Sequence, residues 1–554
     1  MEKKEEALKL LSLGIEEYKK DNFQSSSEYF KKALLLFPKN ISILENLALS
    51  LYNQDKFEDS INVLTKALNQ DGDDEKAFEL LQKIYKETNN KKKLYEVTLK
   101  RKKKNKLTLK EEIRSKLYFP NFANSKEEIK LNRDILNKNL DDILNKENVE
   151  LDVTKFNILP PIFQLSYDEH DNLKINKKIT TLYRKIYPKL NQDINIIKND
   201  TDKIRIGFIS QFFSDHTIFK LFSGIIENLD KKKFEIIVFH SFKTRKGNSF
   251  KKMMELEVNE NITNIFLSEN FEEKVHSIKN NKLDILFYPD IHMSNDLYFL
   301  SYLRLAKFQI TSWGHPETTG NKNIDYFLSS KLCEIETAQN HYSEKLILVD
   351  HLPMYFYKPK VENNFQLKNE HLSIRNKYCS PQSLFKFHPD FDEIIKKILI
   401  KDKKAKIFFL KDSNNVLAKS IYERLKKKVN GNIERVFFID RIREKEFINH
   451  CGQASVLLDP LYFGAGNSFH ESMYYGTPTV TLPSNYLKAR IVKAAYDQMK
   501  IENSPVVNTV DEYVNLSVEI ADIEEKKALD QKNYFKNQAS KYLFENKLFI
   551  NELE

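Results

Sequence analysis

From Thr201 onward the chain carries short, unbroken apolar runs set apart by segments long enough for a helix. One series comprises Ile204–Ser210, Phe234–Ser241, Leu283–Pro289 and Phe308–Ser312. A second comprises Leu384–His388, Lys406–Leu410, Val436–Ile439, Val456–Asp459 and Thr479–Leu482. A strand with one face in water alternates apolar and polar residues, whereas a run that is apolar throughout must be covered on both faces. Helices between successive runs make the connections long enough for parallel pairing. The loop near 355–375 divides the runs into two Rossmann-like α/β domains facing a cleft. In such sheets ligands bind beyond the carboxyl ends of the strands, which directs attention to the loops at those ends.

The N-terminal part obeys a different period. A step of 34 residues pairs Leu13 with Leu47, Tyr18 with Tyr52, Phe23 with Phe57, Ser26 with Ser60 and Ala33 with Ala67. Each unit reads as helix, polar turn and helix, with small residues where two helices approach closely, and Pro38 just after the second helix. The pattern is that of tetratricopeptide repeats, with a decayed third copy at about 75–108. So few repeats bury little surface alone, so the segment is expected to lean on the next part of the chain and to hold a protein partner. Between 109 and 200 amphipathic stretches at Leu136–Leu144 and Ile179–Ile186 flank an extended Phe156–Phe163, a helical connector that packs on the catalytic part. The expected layout is repeats at 1–108, connector at 109–200, and Rossmann-like domains at 201–365 and 366–554.

Composition removes several alternatives. Lys and Arg exceed Asp and Glu by 89 − 79 = 10 over 554 residues, a small excess that speaks for a solvated surface rather than nucleic-acid binding. The best basic patch, Lys91–Lys93 with Arg101–Lys104, has only Tyr95 to stack on a base. Cys333, Cys379 and Cys451 form neither a disulfide framework nor a CxxC zinc pair. No apolar stretch reaches membrane-spanning length and the first residues lack a signal-peptide core, so a cytoplasmic location is expected.

Several segments hold groups fit for chemistry. In Asp459–Glu471, Gly464 and Gly466 permit close backbone approach, while Asn467 and Ser468 suit a helix start whose N–H groups favour a pyrophosphate; a plain capped helix fits equally. Glu471 lies one turn on, in reach of ribose hydroxyls. Lys386, between Phe385 and Phe387, either snorkels to a sheet edge or faces an anion such as a departing diphosphate. His216 is placed to exchange a proton or to serve the loop structurally. The stretch Trp313–Gly320 offers His315, Thr318, Thr319 and Gly320 as a floor for sugar and phosphates, or forms an ordinary turn, and Asp290 adds a carboxylate at the same edge. Asp390 and Asp392 form a DxD at a helix start, where first-turn capping is preferred over a metal. Neither GxxxxGK[ST] nor GxGxxG occurs, which leaves ATPase and dehydrogenase readings without their main support.

Taken together, Ile204–His216, Phe308–Gly320, Ile324–Ser330, Tyr378–Pro389 and Gly464–Pro483 resemble glycosyltransferase family 41, the protein O-GlcNAc transferases and SPINDLY, most closely its bacterial TPR-linked members. The resemblance implies a GT-B fold, a UDP-sugar donor, inversion at the anomeric carbon, no metal or other cofactor, and protein Ser/Thr hydroxyls as acceptors. It also implies Lys386 at the leaving group, His216 in the active site, Gly466, Asn467 and Ser468 at the diphosphate, Glu471 at the ribose, and His315 with Thr318–Gly320 on the opposite wall. Phe447 falls where the animal enzymes place a histidine against the uracil, and the repeat array is short. GlcNAc is the first donor sugar to consider. Other donors or acceptors (a hexose onto Asn, a GDP-deoxyhexose, a surface or flagellar protein), or a TPR scaffold without catalysis, are the alternatives.

Overall fold

In the computed structural model the described residues are 2–72, 74–103, 107–156, 158–192, 194–214, 216–240, 262–361, 376–429 and 431–554. Lys104, Asp215 and Ser241, each inside a segment singled out above, lie outside them. The chain divides into two compact units, Met1–Phe122 and Ala123–Glu554.

The first unit consists of helix pairs Glu2–Lys19 with Phe23–Leu36, Ile41–Tyr52 with Phe57–Gln70, and Glu75–Glu87 with Lys91–Lys103, then Leu109–Lys116. The 34-residue step recurs in the bonding. Ser26 Oγ donates to Gly14 O at 2.9 Å, and Ser60 Oγ to Ala48 O at 2.8 Å. Tyr18 packs on Phe23 and Tyr52 on Phe57, with centroids 5.2 and 5.8 Å apart. Small serines thus bring paired helices together while satisfying a buried hydroxyl. The unit runs to Phe122 rather than to 108, because Leu109–Lys116 is tied back to the third pair. Thr108 and Glu111 form a capping box. Arg101 and Glu111 make a buried ion pair at 3.1 Å, and Lys86 Nζ donates to Arg114 O. Arg101 is therefore an internal group and not part of a basic surface patch.

The second unit holds two parallel sheets. The first contains β1 (Ile204–Ser210), β2 (Phe234–His240), β3 (Ile262–Phe266), β4 (Ile285–Tyr288), β5 (Phe308–Ser312), β6 (Tyr326–Ser330) and β7 (Lys345–Val349), in the order β3-β2-β1-β4-β5-β6-β7. The second contains β8 (Lys377–Ser380), β9 (Lys406–Leu410), β10 (Val436–Ile439), β11 (Val456–Leu458) and β12 (Thr479–Val480), in the order β10-β9-β8-β11-β12. This is the GT-B arrangement expected. The run Leu384–His388 is corrected: the strand is β8, and Leu384–Lys386 forms a 3₁₀ turn beyond its carboxyl end. Chain order reverses between β1 and β4, and again between β8 and β11. At each reversal the flanking connections leave to opposite sides and open a crevice.

The last helices return to the first lobe. Helix Lys547–Leu553 packs by β7 and buries Phe549 and Ile550 in the hydrophobic core of the first sheet, and Glu552 accepts from the N–H groups of Asp350 and His351. The two passages of the chain between lobes lie side by side, since Glu545 N–H donates to Phe356 O at 2.9 Å.

The DxD makes no side-chain cap, and both its carboxylates are engaged with cations. Asp390 occupies the N-cap position of Phe391–Lys401 without a side-chain cap bond; it pairs with Lys126 and accepts from Tyr462 Oη. Asp392 takes two bonds from Arg424, at 2.7 and 2.9 Å, and that guanidinium also donates to Ala123 O and Phe387 O. Arg424→Ala would strand a buried carboxylate and should cost about 3–5 kcal/mol. The cost is read from the midpoint of a urea transition, and adding Asp392→Asn should recover part of it.

Candidate active site

A cleft of about 730 Å³ opens at the carboxyl ends of both sheets. The loops after β1, β5, β8, β9, β10 and β11 line it. All but the edge strand β10 sit at or next to the two reversals, and the shared carboxyl edge brings residues more than 250 positions apart in the chain to one cavity.

Lys386 lies on its second-lobe wall. Its Nζ donates to Gln382 Oε1 at 2.9 Å and to Gly464 O at 3.0 Å, and sits 4.8 Å from the Phe463 ring centroid. Gln382 Nε2 in turn donates to Ser468 Oγ, which fixes the amide so that its oxygen faces the ammonium. Burial lowers the Lys386 pKa to about 8, with Asp459 pulling the other way. Asp459 anchors the loop beneath: Oδ1 accepts from Ala465 N–H and Oδ2 from Thr481 Oγ1. A Cβ at Gly464 would lie 2.8 Å from that carboxylate, so this glycine answers to the loop's own anchor; the Gly466 position faces open space. The capping expected of Asn467 and Ser468 is corrected, since Gly466 is the N-cap of Asn467–Ser472 and no side chain caps it.

His216 comes from the first lobe. It is the N-cap of Thr217–Asn228, and its Nδ1 accepts from Ile218 N–H at 3.2 Å while the ring stacks on Phe212. A neutral imidazole that accepts through Nδ1 carries its proton on Nε2. In this arrangement the other edge of the ring donates and does not accept. Glu471 also lines the cleft and pairs with Lys220 at 2.7 Å. Phe447 also lines the cleft, as do Lys411, Asp412, Arg441 and Ile442 from the loops after β9 and β10.

His315 lines the cleft with its polar atoms engaged elsewhere. Ser166 Oγ donates to Ile162 O, so it accepts from His315 Nε2 at 3.2 Å. His315 Nδ1 therefore accepts from His292 Nδ1–H at 3.0 Å. Burial holds His315 well below the usual histidine range and His292 down to about 3, which keeps both rings neutral. Phe163 stacks on the His315 ring, and Tyr167 packs on Phe385 and Phe463. The connector thus supplies an aromatic side to the cleft.

Four residues placed at the ligand by sequence lie behind the wall. Thr318 Oγ1 donates to Glu344 Oε2 at 2.7 Å, and Thr319 gives both N–H and Oγ1 to the same carboxylate. Gly320, at φ +67°, has no room for a Cβ against the Asn176–Lys177 backbone, and its carbonyl accepts from Thr180 Oγ1. Thr318 O also accepts from Asn176 Nδ2, so Thr318 and Gly320 hold the connector helix Leu173–Ile186. Asp290 is fully buried, accepts from Ser210 Oγ at 3.0 Å and is pushed up to about 7 by burial. Because Ser210 Oγ also accepts from Phe212 N–H, Asp290 braces the loop that carries His216.

Sequence reasoning passed over Lys220, Gln382, Phe163 and Tyr167. Lys220 gave no signal in the sequence, because it lies one turn after His216 on the polar face of Thr217–Asn228, where a lysine is ordinary.

The cap and any chemistry of His216 can be separated. His216→Asn retains an oxygen able to accept from Ile218 N–H, so unfolding should occur near the wild-type temperature. His216→Ala should lose about 1 kcal/mol of helix capping. Thermal unfolding of both variants checks this.

A family profile described as glycosyl transferase family 41 matches residues 164–377. A probable UDP-N-acetylglucosamine–peptide N-acetylglucosaminyltransferase SEC of Arabidopsis thaliana is 20% identical over 335 residues, covering 58% of this chain and 33% of its own length. A UDP-glucose:protein N-beta-glucosyltransferase of Actinobacillus pleuropneumoniae is 23% identical over 287 residues, covering 50% of this chain and 45% of its own. The chain therefore spans a third to under a half of these curated relatives. The solved structure of an O-GlcNAc transferase mutant from Thermobaculum terrenum superposes with a TM-score of 0.71, over 100% of this chain and 96% of that one, at 15% identity. That likeness is one of fold.

Proposed function

We propose that this chain, whose residues 164–377 match glycosyl transferase family 41, transfers a sugar from a UDP-sugar to a protein, with GlcNAc onto Ser/Thr as the first pairing to test. The observation that carries the proposal is the setting of Lys386: an ammonium on the cleft wall, held by two oxygens beside the Gly464–Glu471 loop. In this scheme the diphosphate lies between Lys386 and that loop, the ribose near Glu471, and the base toward Phe447, whose ring offers stacking.

The acceptor hydroxyl attacks the anomeric carbon from the face opposite the diphosphate. The new C–O bond forms as the bond to UDP breaks, and the electron pair leaves on the β-phosphate oxygen. Charge thus grows beside the Lys386 ammonium, a group already oriented and in a partly dry site. The scheme assigns this neutralisation to Lys386 and calls for no resident metal. His216, with its proton on Nε2, donates to a substrate oxygen and orients it; the attacking hydroxyl's proton leaves to another acceptor. The repeats of the first unit hold the acceptor protein.

UDP should raise the unfolding temperature of the full chain, and Lys386→Ala should weaken that shift while lowering turnover by about 10²-fold or more. Transfer is followed with UDP-GlcNAc and UDP-glucose in parallel, against peptides bearing Ser/Thr or Asn. An unshifted transition with UDP, or near-normal transfer by the variant, would remove the assignment.

A pH profile checks the state of the lysine. Lys386 must be protonated to act, and its pKa in the free protein is about 8, so kcat/KM should fall as pH rises through about 8. A bound diphosphate favours the charged form, so the corresponding fall in kcat should come at higher pH.

A further inference from the structure

Lys220 belongs to no part of that scheme, yet its position asks for a role. It projects from Thr217–Asn228 in the first lobe, and its Nζ lies 2.7 Å from Glu471 Oε1 in the second. The side chains are 22% and 6% exposed, and both line the cleft beside Gly466, Asn467 and Ser468. The helix packs through Ile218, Leu221 and Phe222, all buried, while Lys220 sits on its opposite side, facing Glu471 and the cleft. A desolvated carboxylate next to the diphosphate loop would repel any diphosphate entering it. A cation on the opposite wall cancels that repulsion.

The two lysines of the cleft differ in how they are held. Lys386 is fixed by Gln382 and Gly464 O, both in its own lobe. Lys220 reaches across from the other lobe on a flexible four-carbon stem, with three N–H donors to share. On the reading that the cleft takes a UDP-sugar, we infer that Lys220 is a second cation for the diphosphate, supplied from the first lobe, and that Glu471 is its partner until the donor arrives. When the diphosphate enters, N–H groups of Lys220 turn to phosphate oxygens and the Glu471 carboxylate is released to the ribose hydroxyls. Lys220 is thus a donor-binding residue, and the diphosphate is gripped from both lobes.

The test is calorimetric titration of the full chain with UDP, UMP and uridine. Lys220→Gln should weaken UDP by about tenfold or more, the size of one lost charge-assisted bond, while uridine changes by less than about twofold. Lys220→Arg should restore part of the UDP affinity. Lys220→Gln alone leaves Glu471 uncompensated and risks the fold, so Lys220→Gln/Glu471→Gln is measured beside it. There the ratio of UDP to uridine affinity should remain low even where stability recovers. Equal loss for UDP and uridine in both variants would make the pair purely structural and overturn the inference. An unchanged ratio with intact wild-type binding would overturn the inference alone. A wild type that binds none of the three would bring down the nucleotide reading and the inference with it.

Discussion

Three parts of the second unit meet at one buried ion pair, Lys488 with Glu317, 2.9 Å apart and almost wholly out of water. Lys488 belongs to the second lobe and Glu317 to the first. Asn172 of the connector donates to Glu317, and Arg133 reaches Asn172 and Asp168. Isolated charges cannot be buried this deeply, so each needs the others in place. The pair is also wired to the cleft: Lys488 O accepts from Gly464 N–H, and Gly464 O accepts from Lys386. The proposed leaving-group lysine is therefore two hydrogen bonds from the contact that joins the lobes.

The cleft divides its polar groups between those engaged with protein and those turned inward. His315, Thr318, Thr319 and Asp290 spend their hydrogen bonds on the scaffold. Lys386, Lys220 and Glu471 also have partners, but those bonds lie on the cavity wall, where an anion can compete for them. Rigid loops behind and exchangeable charge in front suit a site that must bind a diphosphate and then release it.

Much of this was legible in the sequence, and the failures have physical causes. Alternation of apolar runs with helices identified two parallel sheets, and the loops after the strands identified the region of the cleft. The 34-residue period identified the repeats down to the serines that join paired helices. Leu384–His388 misled because an apolar run of five fits a strand or a turn packed against a core equally well, while the true strand, Lys377–Ser380, hides behind a lysine and a serine. β7 was missed because it is half exposed and starts with a lysine. Placing a residue in a loop does not say which way its side chain turns. Thr318 and Asp290 face inward because Glu344 and Ser210, far away in the chain, wait for them.

The side-by-side passage of the chain between lobes sets how the cleft can change width. Phe356 on the first passage and Phe544 on the second are 6.2 Å apart, and the Phe356 ring also lies 5.3 Å from that of His470, next to Glu471. Two adjacent passages of backbone join the lobes, and the Gly464–Glu471 loop is seated close to them through the Phe356–His470 contact. Points near an axis travel little when arms rotate about it. Any rotation of one lobe about these passages would therefore move this loop less than the parts of the cleft farther from them.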